Sequence, residues 1–195
     1  MFLQKALFSL VAATLLAATT SAQQLVNLPS GTWVNDVTPD GEVVVGSTMS
    51  GGFLWRWRVD PEPTYVPGGG LVAVSDDGSV ALGTLYVGDS NYAALWKEAS
   101  GWQPLGGLEI CGTSVSYGYS LSGDGKSAAG LGWQGCSGQG FLWTEGGGMQ
   151  PLEMLGNGNN RASVLSHDGN GIGGCAEIWA LGLRNLLCLT GDHQS

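Results

Sequence analysis

Histidine and basic charge are nearly absent from this chain: two His and seven Lys or Arg stand against sixteen Asp and Glu in 195 residues. So acidic a surface repels phosphate backbones and anionic headgroups, which removes nucleic acid and anionic membranes from the expected partners. No Ser-His-Asp set with plausible neighbours can be assembled around either histidine: His167 occupies a turn and reads as a surface residue, and His193 lies close to the end. No C-x-x-C motif and no histidine at ligand spacing accompany the four cysteines, so a zinc site is not expected. The glycine runs Gly68-Gly69-Gly70 and Gly146-Gly147-Gly148 precede no helix, which leaves a phosphate cradle unsupported. No cofactor is expected.

Long apolar runs are missing too, except at the start. Lys5 is the only charge before Asp36, and Ala6 to Ala18 is an apolar stretch of signal-peptide length, too short to span a bilayer. The small residues Thr20-Ser21-Ala22 predict cleavage after Ala22, so 1–22 is read as a leader and 23–195 as the working domain, secreted or periplasmic. In such an oxidising compartment Cys111, Cys136, Cys175 and Cys188 are expected as disulfides, with three possible connectivities. Cys111 and Cys136 lie almost symmetrically about Gly123-Asp124-Gly125, as across a hairpin, which leaves Cys175 for Cys188.

Glycine is abundant, at 34 residues, and charged side chains make up only 12% of the chain. That composition fits many short strands joined by tight turns. Eight Trp and 43% hydrophobic residues are too much apolar material for disorder.

A repeat organises the strands. Val37-Thr38-Pro39-Asp40-Gly41, Val74-Ser75-Asp76-Asp77-Gly78, Leu121-Ser122-Gly123-Asp124-Gly125 and Leu165-Ser166-His167-Asp168-Gly169 share one pattern. In each a further glycine, Gly46, Gly83, Gly130 or Gly174, follows the Asp by six residues. Each is then followed by an apolar residue and Trp, at Trp55, Trp96, Trp143 and Trp179. Asp-Gly between two apolar runs is a hairpin signal, so Asp40, Asp77, Asp124 and Asp168 are read as structural turn residues rather than metal or acid-base groups. The Trp segment supplies a third strand, and Gly101 to Leu105 or Gly147 to Leu152 a short fourth. Units fall near 31–70, 71–110, 111–156 and 157–190.

A sheet of about 40 residues cannot bury both faces alone, so the units must stack. Four strands per unit at this period predict an all-β fold, a small β-propeller of about four blades. Leu25 to Leu28 is expected to complete the last sheet and close the ring.

The order V-S-x-D-G-x-x-V-V-G, A/F-x-W and G-x-x-x-L-G resembles the HAF repeat of bacterial extracellular proteins, over roughly Leu25 to Leu189. The His-Ala-Phe triplet itself is replaced by Gly52-Phe53, Ala93-Ala94 and Gly140-Phe141. The resemblance implies export and a propeller-like fold, and it transfers no catalytic residue.

Aromatic residues outside the repeated set are the candidate ligand contacts. Tyr86 and Trp133 both follow their unit's Asp by nine residues, at one edge of the ring, and Trp57 and Trp102 are the other non-repeating candidates. Such faces stack on sugars or grip proteins. The expected function is a non-catalytic binding or scaffold module for a glycan or protein partner. A propeller-type carbohydrate-active enzyme, drawing on Asp36, Asp60, Glu62 or Asp89, is the alternative, and a segment of a longer surface protein is another.

Overall fold

The computed structural model describes residues 25–28, 30–108, 115–134, 137–154, 158–180 and 183–192, with the side chains of Gln134 and of positions from 178 onward set aside. The expected leader, Cys111 and Cys136 lie outside the described residues. Fifteen strands and no helix are described, in four antiparallel sheets.

The first sheet is β1 (Thr32–Val37), β2 (Val43–Thr48), β3 (Gly51–Arg56) and β4 (Thr64–Pro67), paired in that order. The second is β5 (Gly69–Val74), β6 (Ala81–Val87), β7 (Ser90–Lys97) and β8 (Gly101–Pro104). The third is β9 (Ser116–Leu121), β10 (Ser127–Gln134), β11 (Ser137–Thr144) and β12 (Gly148–Pro151). The fourth has three strands, β13 (Asn160–Leu165), β14 (Gly171–Ala180) and β15 (Leu183–Asp192). Successive first strands β1, β5, β9 and β13 touch one another, so they line the axis and each sheet is a propeller blade running outward from it.

Each Asp-Gly turn is built from the same bonds. The Thr38, Ser75, Ser122 and Ser166 hydroxyls donate to their Asp carboxylates at 2.6, 2.7, 2.7 and 2.5 Å. The same hydroxyls accept the N–H of Val43, Val80, Ser127 and Gly171, where the second strand begins. The carboxylates also accept the N–H of Glu42, Ser79, Lys126 and Asn170. Gly41, Gly78, Gly125 and Gly169 follow at φ of 73, 68, 71 and 77°, a left-handed conformation that a side chain disfavours. These donors hold all four carboxyls below the usual carboxylate range: at Asp40, Asp124 and Asp168 the hydroxyl is the leading cause, and at Asp77 it is the Ser79 N–H.

The glycine six residues past each Asp serves a different purpose. Every first strand is bulged at its fourth residue: Asn35, Val72, Tyr119 and Ser163 have no partner in the second strand. Beside the bulge a carbonyl crowds the second strand. A Cβ on Gly46, Gly83, Gly130 or Gly174 would collide with the carbonyl oxygen of Trp33, Gly70, Tyr117 or Arg161. The bulge bends the strand and places its third and sixth residues on one face.

That face is the joint between blades. Leu71 and Val74 of β5 pack against Val43, Val45, Leu54 and Val66 of the first blade. Leu121 of β9 packs on Val80, Leu82 and Leu95, and Ala162 and Leu165 of β13 on Ala129 and Leu142. Polar side chains add to the apolar contact: Asp36 accepts the N–H of Val74, and the Ser120 hydroxyl accepts that of Leu165. The first blade lacks a preceding neighbour among the described residues. Its Val34 and Val37 are 54% and 48% exposed, whereas their counterparts Leu71, Val74, Ala162 and Leu165 are at most 9% exposed.

Two expectations are corrected here. Leu25 to Leu28 forms no strand and lies open to solvent or nearly so, and the fourth blade's described strands are contiguous in sequence, so these residues do not close the ring. Trp179 does not lie on a third strand: it sits near the end of β14, which is ten residues long and turns back into β15. The Asp-to-Trp spacing is shorter in this unit because Trp179 still belongs to the second strand, and Leu189 takes the place opposite Gly174 that Phe53 takes opposite Gly46. Cys175 carries a free thiol in this structure. Its register partner on β15 is nevertheless Cys188. Glu177 turns both its N–H and its carbonyl to the chain of Asn159 and Gly158, and Cys175 shares its parity. Toward β15, Cys175 and Cys188 therefore form a non-hydrogen-bonded pair, the closer kind, with Cα atoms about 4.5 Å apart.

Two outcomes follow from the joints and the turns. Leu71→Ala costs about 2–5 kcal/mol in urea unfolding, whereas Val34→Ala, at the same position of the first blade, stays within about 0.5 kcal/mol. Equal costs would refute stacking as the source of stability. Because the four Asp carboxyls bind protons less readily when folded, stability is full above their ordinary value near ~4 and declines as pH falls through that value toward the lowered ones. Ser122→Ala, which removes one hydroxyl donor and leaves the Ser127 N–H without its acceptor, lowers neutral stability by about 1–3 kcal/mol. It also makes the loss between pH 7 and pH 3 smaller than in the wild type, read as denaturation midpoints at both pH values.

Candidate functional site: clefts between blades

The end of each second strand, nine residues past the Asp, lies at the opposite end of the blade from the Asp-Gly turn, and there neighbouring blades part. Between the third and fourth blades the gap is a cleft of about 360 Å3. One wall is Leu131, Trp133 and Gly138 of β10 and β11; the other carries Asn159, Asn160, Arg161, Cys175 and Glu177. The fourth-blade wall is held by its amides. Asn159 accepts the Gly138 N–H at 2.7 Å and donates to Glu177 Oε2 at 3.2 Å. Asn160, buried, accepts the Gly140 N–H and donates to the Glu153 carbonyl. Arg161 is exposed, and its charge reaches Tyr119, whose phenol burial pushes up and the guanidinium draws back down. The cleft thus sets a half-buried indole against amide, guanidinium and carboxylate groups.

A smaller cleft of about 260 Å3 separates the first two blades, lined by Ser47, Thr48, Met49, Ser50 and Gly51 on one side and Gly68, Gly70 and Tyr86 on the other. Tyr86 is exposed and is held through its own N–H, which donates to the Gly68 carbonyl at 2.7 Å. Thr48 Oγ1 donates to the Gly51 carbonyl and accepts the Ser50 N–H.

Of the four expected ligand contacts, Tyr86 and Trp133 therefore line clefts, and the other two are consumed by the fold. Trp57 Nε1 donates to the Gly41 carbonyl at 2.7 Å, with the Arg58 guanidinium 4.5 Å over its ring, so it closes the first Asp-Gly turn. Trp102 Nε1 donates to the Pro67 carbonyl, and its ring covers Gly69 and Gly83 at the joint of the first two blades.

The four turn aspartates cap their own hairpins, as expected, but the residue just before each behaves otherwise. Asp76 N–H donates to the Gly123 carbonyl and Gly123 N–H to the His167 carbonyl, which chains three blades around the axis. Across Gly123, His167 Nε2 meets Asp76 Oδ2 at 2.5 Å. His167 is thus not an isolated surface residue: stacking brings it to a side chain 91 positions away. Pro39 stands at this position in the first blade and has no N–H to add a further link. Both members of the pair are well exposed, so the contact contributes little to stability.

The carboxylates of the enzyme reading do not converge. Asp36 is engaged at the axis by the N–H groups of Val37 and Val74. Asp60 lies 3.9 Å from Arg56 in the loop after β3, which also holds Glu62, while Asp89 is at the β6–β7 turn. Among the described residues no three His, Cys, Asp or Glu side chains are placed to hold a metal ion. No helix there is long and apolar enough to cross a membrane.

No protein-family model matches the chain, and no curated protein matches it either. Solved structures do. A TolB protein of Agrobacterium tumefaciens superposes with a TM-score of 0.58 at 19% identity, over 81% of this chain and 57% of its own. TolB of Acinetobacter baumannii gives a TM-score of 0.61 at 19% identity, over 83% of this chain and 41% of its own. The chain therefore spans less than two thirds of the length of either, and at this identity what it shares with them is the fold: an all-β propeller arrangement of four-stranded antiparallel blades.

Proposed function

We propose that this chain is an exported, non-catalytic binding module that seats a glycan in the cleft between its third and fourth blades. The observation that carries the reading is the composition of that cleft: the Trp133 indole on one wall faces Asn159, Arg161 and Glu177 on the other. A pyranose presents an apolar face and a rim of hydroxyls, which an aromatic ring and a set of amide and charged groups match. Catalysis would need paired carboxylates at one mouth, and Asp36, Asp60, Glu62 and Asp89 are spread over the axis, an outer loop and another blade. The likeness to TolB folds supports the propeller framework of this reading, and the leader-like first 22 residues and the resemblance to HAF repeats support export.

Trp133→Ala removes the stacking face. Retention on insoluble polysaccharides that bind the wild type, chitin and peptidoglycan sacculi among them, falls about 30-fold, the equivalent of ~2 kcal/mol at a central aromatic contact. Trp57→Ala, which alters a distant turn, leaves retention unchanged. Equal retention of the Trp133 variant and the wild type would end the proposal for this cleft.

Export also gives Cys175 and Cys188 an oxidising surrounding. There the two thiols join by exchange with a disulfide oxidant, which takes up the two electrons and two protons. Their register separation falls within the Cα range of disulfides, and closing so short a loop contributes about 3 kcal/mol. Peptide mapping of protein secreted into the medium recovers the linked 175–188 peptide without reductant and two separate thiol peptides with it. Recovery of alkylated Cys175 from unreduced secreted protein would refute the bridge.

A further inference from the structure

The two open clefts occupy the same place in the repeat. Counted from each blade's Asp, Met49, Tyr86, Trp133 and Glu177 share one position, the ninth. At the joint of blades one and two that position supplies Met49 and Tyr86; at the joint of blades three and four it supplies Trp133 and Glu177. Each cleft therefore has one aromatic wall and one non-aromatic wall, and the two have changed sides. Hydrogen-bonding groups stand opposite the aromatic in both: the Ser47, Thr48 and Ser50 hydroxyls face Tyr86, and Asn159, Arg161 and Glu177 face Trp133.

The joint between them is bridged by a side-chain contact. The second residue of the first strand is Gly70 at the first open cleft, Arg161 at the other, and Tyr117 in the third blade. Tyr117 reaches across to the second blade, where its phenol oxygen accepts a 2.8 Å bond from Asn91 Nδ2. Ser50 stands where Asn91 does, one blade earlier, and Gly70 has no side chain to reach it.

We propose that the Tyr86 cleft is a second pyranose site, so that the protein binds one glycan chain at two points separated by the bridged joint. This rests on the reading of the Trp133 cleft as a glycan site. The Tyr86 cleft is lined by hydroxyls, glycines, Met49 and a phenol, with no charged side chain, so it takes a neutral sugar. Two sites on one polymer raise retention on that polymer well above the affinity of either site for a short fragment.

The test is calorimetric titration of the full secreted protein with chitobiose and with cellobiose, beside retention on the parent polymers. The wild type binds two equivalents of whichever disaccharide it recognises. Trp133→Ala leaves one site, and so does Gly70→Tyr combined with Ser50→Asn, which rebuilds the Tyr117–Asn91 bridge at the first joint. Tyr86→Ala alters an exposed side chain and gives the same single site should the bridged variant not fold. Either loss lowers retention on the polymer by at least the ~30-fold expected of the Trp133 contact, while the remaining site keeps its disaccharide affinity. One equivalent in the wild type, abolished by Trp133→Ala, overturns the second site and leaves the Trp133 site standing. Two equivalents unaffected by the bridge or by Tyr86→Ala also overturn it. No saturable binding of either sugar overturns both sites.

Discussion

Each described blade after the first hides its inner strand under the blade before it. A four-stranded sheet of about 35 residues has two faces and no interior, so the apolar residues of its second and third strands stay wet until a neighbour arrives. The neighbour contributes the third and sixth residues of its first strand, and the bulge between them turns both to the same side. The contrast between buried Leu71 and exposed Val34 shows what the joint does: equivalent positions, with and without a preceding blade.

The repeat's glycines and aspartates are the backbone's terms for building that joint. The bulge pushes a carbonyl toward the second strand, and only a residue without a Cβ fits beneath it, which accounts for Gly46, Gly83, Gly130 and Gly174. The Asp-Gly turn sets the register from the other end, with a hydroxyl, a carboxylate and two N–H groups closing on one another. With both ends determined, the far rim of the blade is free to vary. The ninth position after the Asp is Met, Tyr, Trp and Glu in turn. Variable side chains on a rigid frame are where binding is placed in repeat proteins.

Much of this was legible before any coordinates. Four Asp-Gly hairpins, the period and the Trp strands of the first three units point to four small antiparallel sheets, and the sheets are there. Tyr86 and Trp133 stood out because they break a repeated pattern at a shared offset, and both line clefts. Trp57 and Trp102 broke the pattern too, but as covers for Gly41 and Gly69, a distinction that depends on which carbonyl each indole N–H finds. The fourth unit misleads because an apolar residue and Trp follow Asp168 as in the other units, although sooner, while β14 runs on past them, and a one-dimensional pattern does not show where a hairpin turns.

Local chemistry follows from residues within a few positions of one another: the turns, the strands, the bulge-side glycines and the order of the units. The tertiary structure alone decided which surfaces meet. His167 against Asp76, Tyr117 against Asn91 and Trp133 against Arg161 and Glu177 join residues from separate blades. Their pairing depends on the stacking of whole sheets, a sum of apolar contacts that no short stretch of chain encodes.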